Sequence, residues 1–223
     1  MLREAERGLQ LVERFAGCFQ DYRDPARVEF TVAELVGQRL FALALGYEDL
    51  KDHEALRRDP LLAVLTGHPD VTGQARERAR DRGKALAGKS TLNRLELTPV
   101  GADGRSRYQK VVYDQAAIDR LLVDLFIEAQ AGRPRELVLD LDATDDPLHG
   151  NQEGRFFHGY YRSYCYLPLY VFCGEHLLCA RLRTADRDAA AGATEEVARL
   201  VAQLRSVWPG VRLIVRADSG FAR

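Results

Sequence analysis

Near residue 132 the spacing of apolar side chains changes from helical to alternating, and that change sets what the chain can fold into. Before it, apolar residues recur every three or four positions. Leu9, Val12, Ala16 and Phe19 form one such stripe. Thr31-Val32-Ala33-Glu34 has the spacing of a capping box, in which a hydroxyl accepts from an orphan N–H and the glutamate reaches back. The helix it opens carries Val32, Leu35, Val36, Leu40 and Leu43, and Gly46 can close it. Pro60 suits the first turn of a helix over Leu61 to Leu65, ended by Gly67. Asp114 can cap a further helix with Ile118, Leu121, Leu122, Leu125, Phe126 and Ala129 on its buried face. Thr98 to Arg107 is a turn-rich connector. The expectation is an all-helical N-terminal domain over residues 1–131.

Residues 132–223 read differently. Glu136 to Asp142 is a strand with Leu137, Leu139 and Leu141 on one face. Tyr164 to Phe172 and His176 to Arg183 make a hairpin around Cys173-Gly174-Glu175, with Pro168 expected to force a bulge or local edge. Thr194 to Trp208 is a helix, and Pro209-Gly210 turns the chain into a fourth strand, Val211 to Ala217. Strand, hairpin, helix, strand is the opening of a ribonuclease H-like α/β sheet, here its first four strands. In that topology the first and fourth strands lie side by side and parallel. Ligand chemistry in such sheets gathers at the strands' carboxyl ends.

Composition excludes several classes. The 223 residues are 46% hydrophobic and 29% charged, which suits a core-forming protein rather than a disordered one. The longest apolar run, Tyr164 to Cys173, is too short to span a bilayer, so no membrane is expected. The charged start, Met1 to Arg7, lacks the apolar stretch of a signal peptide, and the four cysteines (Cys18, Cys165, Cys173, Cys179) have no paired spacing. A reducing, cytoplasmic setting follows. Net charge is −1, so there is no whole-chain basic field.

The two strand ends carry aspartates. Asp142 closes the first strand and Asp218 follows the fourth, so the topology would bring them together. Converging carboxylates repel unless a cation lies between them. Mg²⁺ takes such oxygen ligands and can bridge phosphate oxygens, which suits phosphoryl transfer. An aspartate at a strand end is also a common turn former. Asp140 shares the face of Asp142 and reads as a supporting acceptor or as the partner of a neighbouring side chain. Asp145-Asp146-Pro147 reads as a turn.

Four segments together resemble the group 1 DDE transposases of bacterial insertion sequences: Leu139–Gly150 (LDLDATDDPLHG), Gly159-Tyr160-Tyr161, Cys165–Tyr170 (CYLPLY) and Arg216–Phe221 (RADSGF). Asp59–Leu62 and Ala87–Arg94 are similar to that family's helical region. The resemblance implies metal-dependent DNA cleavage and strand transfer at element ends. It makes Asp142 and Asp218 the first two catalytic aspartates, Mg²⁺ or Mn²⁺ the cofactor, and double-stranded DNA, at element ends and target, the partner. It also implies a homodimer for the intact protein and a bacterial, nucleoid-associated location. The family's third carboxylate, a helical glutamate, lies well beyond the second aspartate, whereas this sequence ends at Arg223. The expectation is therefore a transposase fragment, inactive alone. Two alternatives stand beside it: a catalytically inactive DNA-binding remnant, and a self-contained nuclease using Glu195 or Glu196, residues that equally suit the first turn of a helix.

From Gln74 to Arg94, seven basic residues face two acidic ones. Arg76, Arg78, Arg80, Arg82, Lys84, Lys89 and Arg94, with Asn93, are the candidate DNA contacts, weighed against a merely solvated charged face.

Overall fold

The computed structural model describes residues 1–221. The chain divides into two compact units, Met1–Ile118 and Asp119–Arg223.

In the first unit, α1 (Leu2–Leu9) and α2 (Leu11–Ala16) are separated by Gln10, whose φ of 50° is left-handed. The Leu9–Phe19 stripe is therefore not one helix. Phe19 begins β1 (Phe19–Asp21), which pairs antiparallel with β2 (Val111–Tyr113). This ribbon corrects the all-helical expectation. Its strands are three residues each and some ninety positions apart, too short for alternation to register as a pattern.

Helix α3 (Val32–Ala44) starts in the capping box as the sequence requires. Thr31 Oγ1 accepts from the Glu34 N–H at 3.2 Å, and the Thr31 N–H donates to Glu34 Oε2 at 2.8 Å. Its buried face is Leu35, Val36, Gln38, Phe41 and Ala42, while Leu43 is exposed. α4 (His53–Leu56), α5 (Pro60–Thr66) and α6 (Lys89–Glu96) follow, with Asp59 capping α5 through the Leu61 and Leu62 N–H groups. Two apolar clusters fill this unit, one around Leu35, Leu92 and Val111 and one around Phe41, Leu62 and Leu86.

The division between units falls inside α7 (Gln115–Ala129), earlier than the expected 131/132 boundary. Val123 and Phe126 belong to the second unit's core. The helix is also turned relative to the expected face: Asp119, Leu121, Val123 and Phe126 are buried, and Asp119 is buried because Arg181 pairs with it.

The second unit is built on β3 (Glu136–Ala143). The short β4 (Asp146–Pro147), β5 (Phe156–His158) and β6 (Ser163–Tyr166) form their own sheet in the order β4-β6-β5. β7 (Leu169–Cys173), β8 (His176–Arg181) and β9 (Arg212–Ala217) join β3 in the order β8-β7-β3-β9. β3 is antiparallel to β7 and parallel to β9. The long strand expected over Tyr164 to Phe172 is thus two strands in two sheets. Leu167-Pro168 divides them, because proline cannot donate to a ladder. Asp146-Pro147, expected as a turn, pairs with Cys165 and Tyr166.

Leu137, Leu139 and Leu141 are buried on one face of β3 with Val123 and Phe126 of α7 and with Leu200 and Leu204 of α8 (Ala193–Val207). Both helices therefore serve this one face. Among the described residues no helix is long and apolar enough to cross a membrane, and all four cysteines are free and buried.

Candidate active site

Alternation along β3 puts Asp140 and Asp142 on the face opposite the leucines. The parallel register pairs Asp140 with Arg216 and Leu141 with Ala217. Leu141 and Ala217 are the last pair of that register, and Asp142 and Asp218 each follow it by one residue. Both are exposed, and no cation pairs with either among the described residues.

Asp140 differs. Arg216 holds it in a two-pronged pair, Nη2 donating to Oδ2 at 2.8 Å and Nε to Oδ1. That guanidinium bond keeps the Asp140 carboxyl below its ordinary pKa. Of its two readings, partner of a neighbouring side chain is the one these bonds match.

Asp218 is fixed by the turn that follows it. Its Oδ1 accepts from the Gly220 N–H at 2.9 Å, within the 3₁₀ turn Ser219–Phe221. A Cβ at position 220 would stand 3.0 Å from that oxygen, tighter than side chains normally allow. The Asp-Ser-Gly sequence therefore aims the carboxylate.

Tyr161 lies near this end of the sheet; from sequence it reads only as one of a tyrosine cluster suited to base stacking or to sheet packing. Its hydroxyl donates to the Ala143 carbonyl at 3.3 Å. Its ring packs on the small cluster of Ala143, Cys165, Leu167 and Ala185, as Phe221 does. Burial pushes the phenol pKa up, and the charges of Asp145, Asp142 and Asp218, with Tyr160, add to it. One hydroxyl therefore lies within the field of all three carboxylates. The Gly-Tyr-Tyr segment was visible in sequence, but nothing in it said which ring would turn toward the aspartates.

Glu196 is committed elsewhere. It accepts from Arg199 Nε at 2.9 Å and from Arg181, which also donates through Nη1 to Asp119 Oδ1 at 3.0 Å. Burial would raise the Glu196 pKa, but the two arginines overturn that and hold it below the carboxylate range. Cys179 Sγ sits 3.4 Å from the same carboxylate, and burial with that charge pushes its thiol up to about 11. Glu195 is exposed at the start of α8. Among the described residues no set of three or more His, Cys, Asp or Glu side chains is gathered for a metal.

The basic segment splits. Arg76 is buried: it pairs with Glu29 at 2.8 Å, donates to the Lys84 carbonyl at 3.0 Å and lies over the Phe30 ring at 4.7 Å. It holds the first unit together and does not face outward. Lys84 is half-buried, donates to the Arg80 carbonyl and pairs with Asp81 at 3.5 Å. Arg78, Arg80 and Arg82 are exposed, as are Lys89, Asn93 and Arg94 on the outer side of α6.

The profile of the family described as Transposase DDE domain group 1 matches residues 1–223. A 78-residue stretch is 32% identical to the cyclic nucleotide-gated channel rod photoreceptor subunit alpha of Gallus gallus. That stretch is 35% of this chain and 11% of the channel subunit, too little of either to carry an argument. No solved structure matches.

Proposed function

Because the chain belongs to the group 1 DDE transposase domain family, we propose that its second unit is part of a ribonuclease H-like catalytic domain in which Asp142 and Asp218 hold a divalent cation, Mg²⁺ or Mn²⁺, for cleaving and joining DNA at the ends of an insertion sequence. Membership itself points to a transposition-related function and to DNA as the partner. The observation that carries the finer reading is the pair of exposed aspartates, without an ion pair among the described residues, that follow the last registered pair of β3 and β9.

The donor set fits a hard cation that keeps several waters, since two carboxylates supply anionic oxygens and leave most positions to water or phosphate. A cation held there supplies positive charge to the phosphate oxygens and makes a water or a DNA 3′-hydroxyl more acidic. Asp142 and Asp218 hold it. Arg216 keeps Asp140 occupied and adds a positive charge beside the site. Tyr161 keeps its proton, because ionisation would add a fourth negative charge near three others. The exposed cations of the first unit, Arg78, Arg80, Arg82, Lys89 and Arg94, with Asn93, bind the DNA backbone.

Mn²⁺ titration of the purified chain, followed by the loss of the free-ion electron paramagnetic signal, tests this. Asp142→Ala and Asp218→Ala should each weaken binding at least ten-fold. If neither does, the site is misassigned. Salt-dependent DNA binding without nicking in either metal would favour the inactive-remnant alternative. The arginines that already neutralise Glu196 disfavour the self-contained nuclease reading through that residue, and nicking that dies with Glu195→Ala would favour it through the other.

A further inference from the structure

Within the first unit a groove of about 1140 Å³ runs between α6 and the connector Pro99–Gln109, with Asp49 to Lys51 along its side. α6 turns Leu92 and Leu95 into the core, which leaves Lys89, Ser90, Asn93 and Arg94 for the groove. The connector is ordered enough to form a wall: Gln109 Nε2 donates to the Leu97 carbonyl at 2.9 Å, and Lys110 Nζ to the Gly104 carbonyl at 2.6 Å.

Four cations line the groove: Lys51, Lys89, Arg94 and Arg107. None forms an ion pair with a described residue, unlike Arg57, Arg76 and Lys84 nearby. The one lining acid, Asp49, accepts from the Lys51 backbone N–H at 2.8 Å. Glu54 lies near the start of α6, where it accepts from the Lys89 N–H at 3.0 Å and pairs with Arg57. Tyr108 stands among the cations, 58% exposed. The Arg107 guanidinium is 4.9 Å from its ring centre and that of Arg94 is 5.7 Å away.

Two guanidiniums gathered on one ring repel each other. The ring's attraction for each is modest at an exposed site. An anion bound between them removes the repulsion, and the planar forks suit phosphate oxygens. The positive charge is spread along an open groove far larger than one phosphate needs, so a chain of phosphates matches it better than a single ion. We propose that this groove binds the phosphodiester backbone of a nucleic acid through Lys51, Lys89, Arg94 and Arg107, with Tyr108 as the positioning residue that gathers the two arginines. The inference rests on the DNA-binding reading above and adds Lys51, Arg107 and Tyr108, none of which lies in the basic run of the sequence.

Fluorescence anisotropy with labelled duplex and with single-stranded DNA of the same sequence tests it on the full chain, over salt from about 50 to 200 mM. Each of Lys51→Ala, Lys89→Ala, Arg94→Ala and Arg107→Ala should lower the slope of log affinity against log salt by about 0.9 on duplex or about 0.7 on single strands. Tyr108→Ala should weaken binding several-fold with little change in slope, and Tyr108→Phe, which keeps the ring, should restore it. Circular dichroism checks that each variant is folded. The reference variant is Arg78→Ala/Arg80→Ala/Arg82→Ala. If it abolishes binding while the groove variants leave affinity and slope unchanged, the groove inference fails and the DNA-binding reading stands. Wild-type chain that binds neither DNA form overturns both. Displacement of DNA by inorganic phosphate at matched ionic strength would show a small-anion site and overturn the polymer assignment.

Discussion

His53 should make the first unit lose stability in mild acid by an amount the structure sets. The side chain is completely buried. Its Nδ1 accepts from Gln38 Nε2 at 2.9 Å, and Gln38 cannot reverse its amide, because its Oε1 accepts from the Ala87 N–H at 2.9 Å and its Nε2 donates to the Ala87 carbonyl at 2.8 Å. Nδ1 must therefore carry a lone pair, which places the proton of the neutral ring on Nε2. A second proton would set N–H against N–H. Burial first, and then the Arg39 charge, lower the pKa from 6.5 to about 4, against a small opposing pull from Asp52. The unfolded chain thus binds the proton more readily than the folded one. Stability from this group is fully present above about pH 6.5 and is lost as pH falls toward 4. With each pKa unit worth a little over 1 kcal/mol, the loss is about 1 kcal/mol by pH 5.5 and about 3 kcal/mol by pH 4. The assay is amide hydrogen exchange of α3 by mass spectrometry at three pH values, corrected for intrinsic exchange. Fluorescence of the single tryptophan will not serve, since Trp208 lies in the other unit. In His53→Met the pH dependence should flatten by that amount, after a constant cost of about 1–3 kcal/mol for the Gln38 N–H left without its acceptor. Equal pH dependence in wild type and variant would refute the tautomer argument.

Three other outcomes follow from the same contacts. Glu196→Gln should cost the second unit about 2 kcal/mol, read by urea unfolding on Trp208 fluorescence, because Arg181 and Arg199 lose their shared anion; Mn²⁺ affinity should stay unchanged. Arg216→Ala frees Asp140 and removes a positive charge beside Asp142, so Mn²⁺ binding should tighten about two- to five-fold at low salt and less at high salt. Thr31→Ala removes half of the capping box and should lower the stability of the first unit by about 1 kcal/mol in thermal unfolding followed by circular dichroism.

The parts of the fold legible in sequence are those decided by contacts close along the chain. The capping box of α3, the Asp59-Pro60 start of α5 and the alternation of β3 each depend on a few neighbouring residues, and each is present. What escaped depended on distant partners. The buried rotation of α7 follows from Arg181, sixty-two residues on, donating to the Asp119 carboxylate. Without that partner Asp119 would read as solvent-facing. The β1–β2 ribbon likewise joins residues that no local pattern connects. Pro168 signalled trouble correctly, but only pairing could show that its effect was to end one sheet and begin another.

The candidate site separates along the same line. Strand parity could not choose between Asp140 and Asp142, because both point to one face. The neighbouring strand distinguishes them: register pairs Asp140 with Arg216, whereas Asp142 lies one residue past the last pair, Leu141 with Ala217. Ion pairing then sorts the acidic residues on these elements. Glu136 pairs with Arg212, Asp140 with Arg216, and Glu196 with two arginines. Among the described residues Asp142, Asp218 and Glu195 form no such pair. If the two carboxylates share a cation, they repel each other without it, and a fold that needed them only as turn formers could use asparagine at either position. Asp142→Asn and Asp218→Asn should therefore each raise the thermal midpoint in chelator and abolish the rise that Mn²⁺ produces in the wild type. A variant that is less stable in chelator, with the Mn²⁺ increment intact, would mean that the carboxylate serves the turn and not a cation.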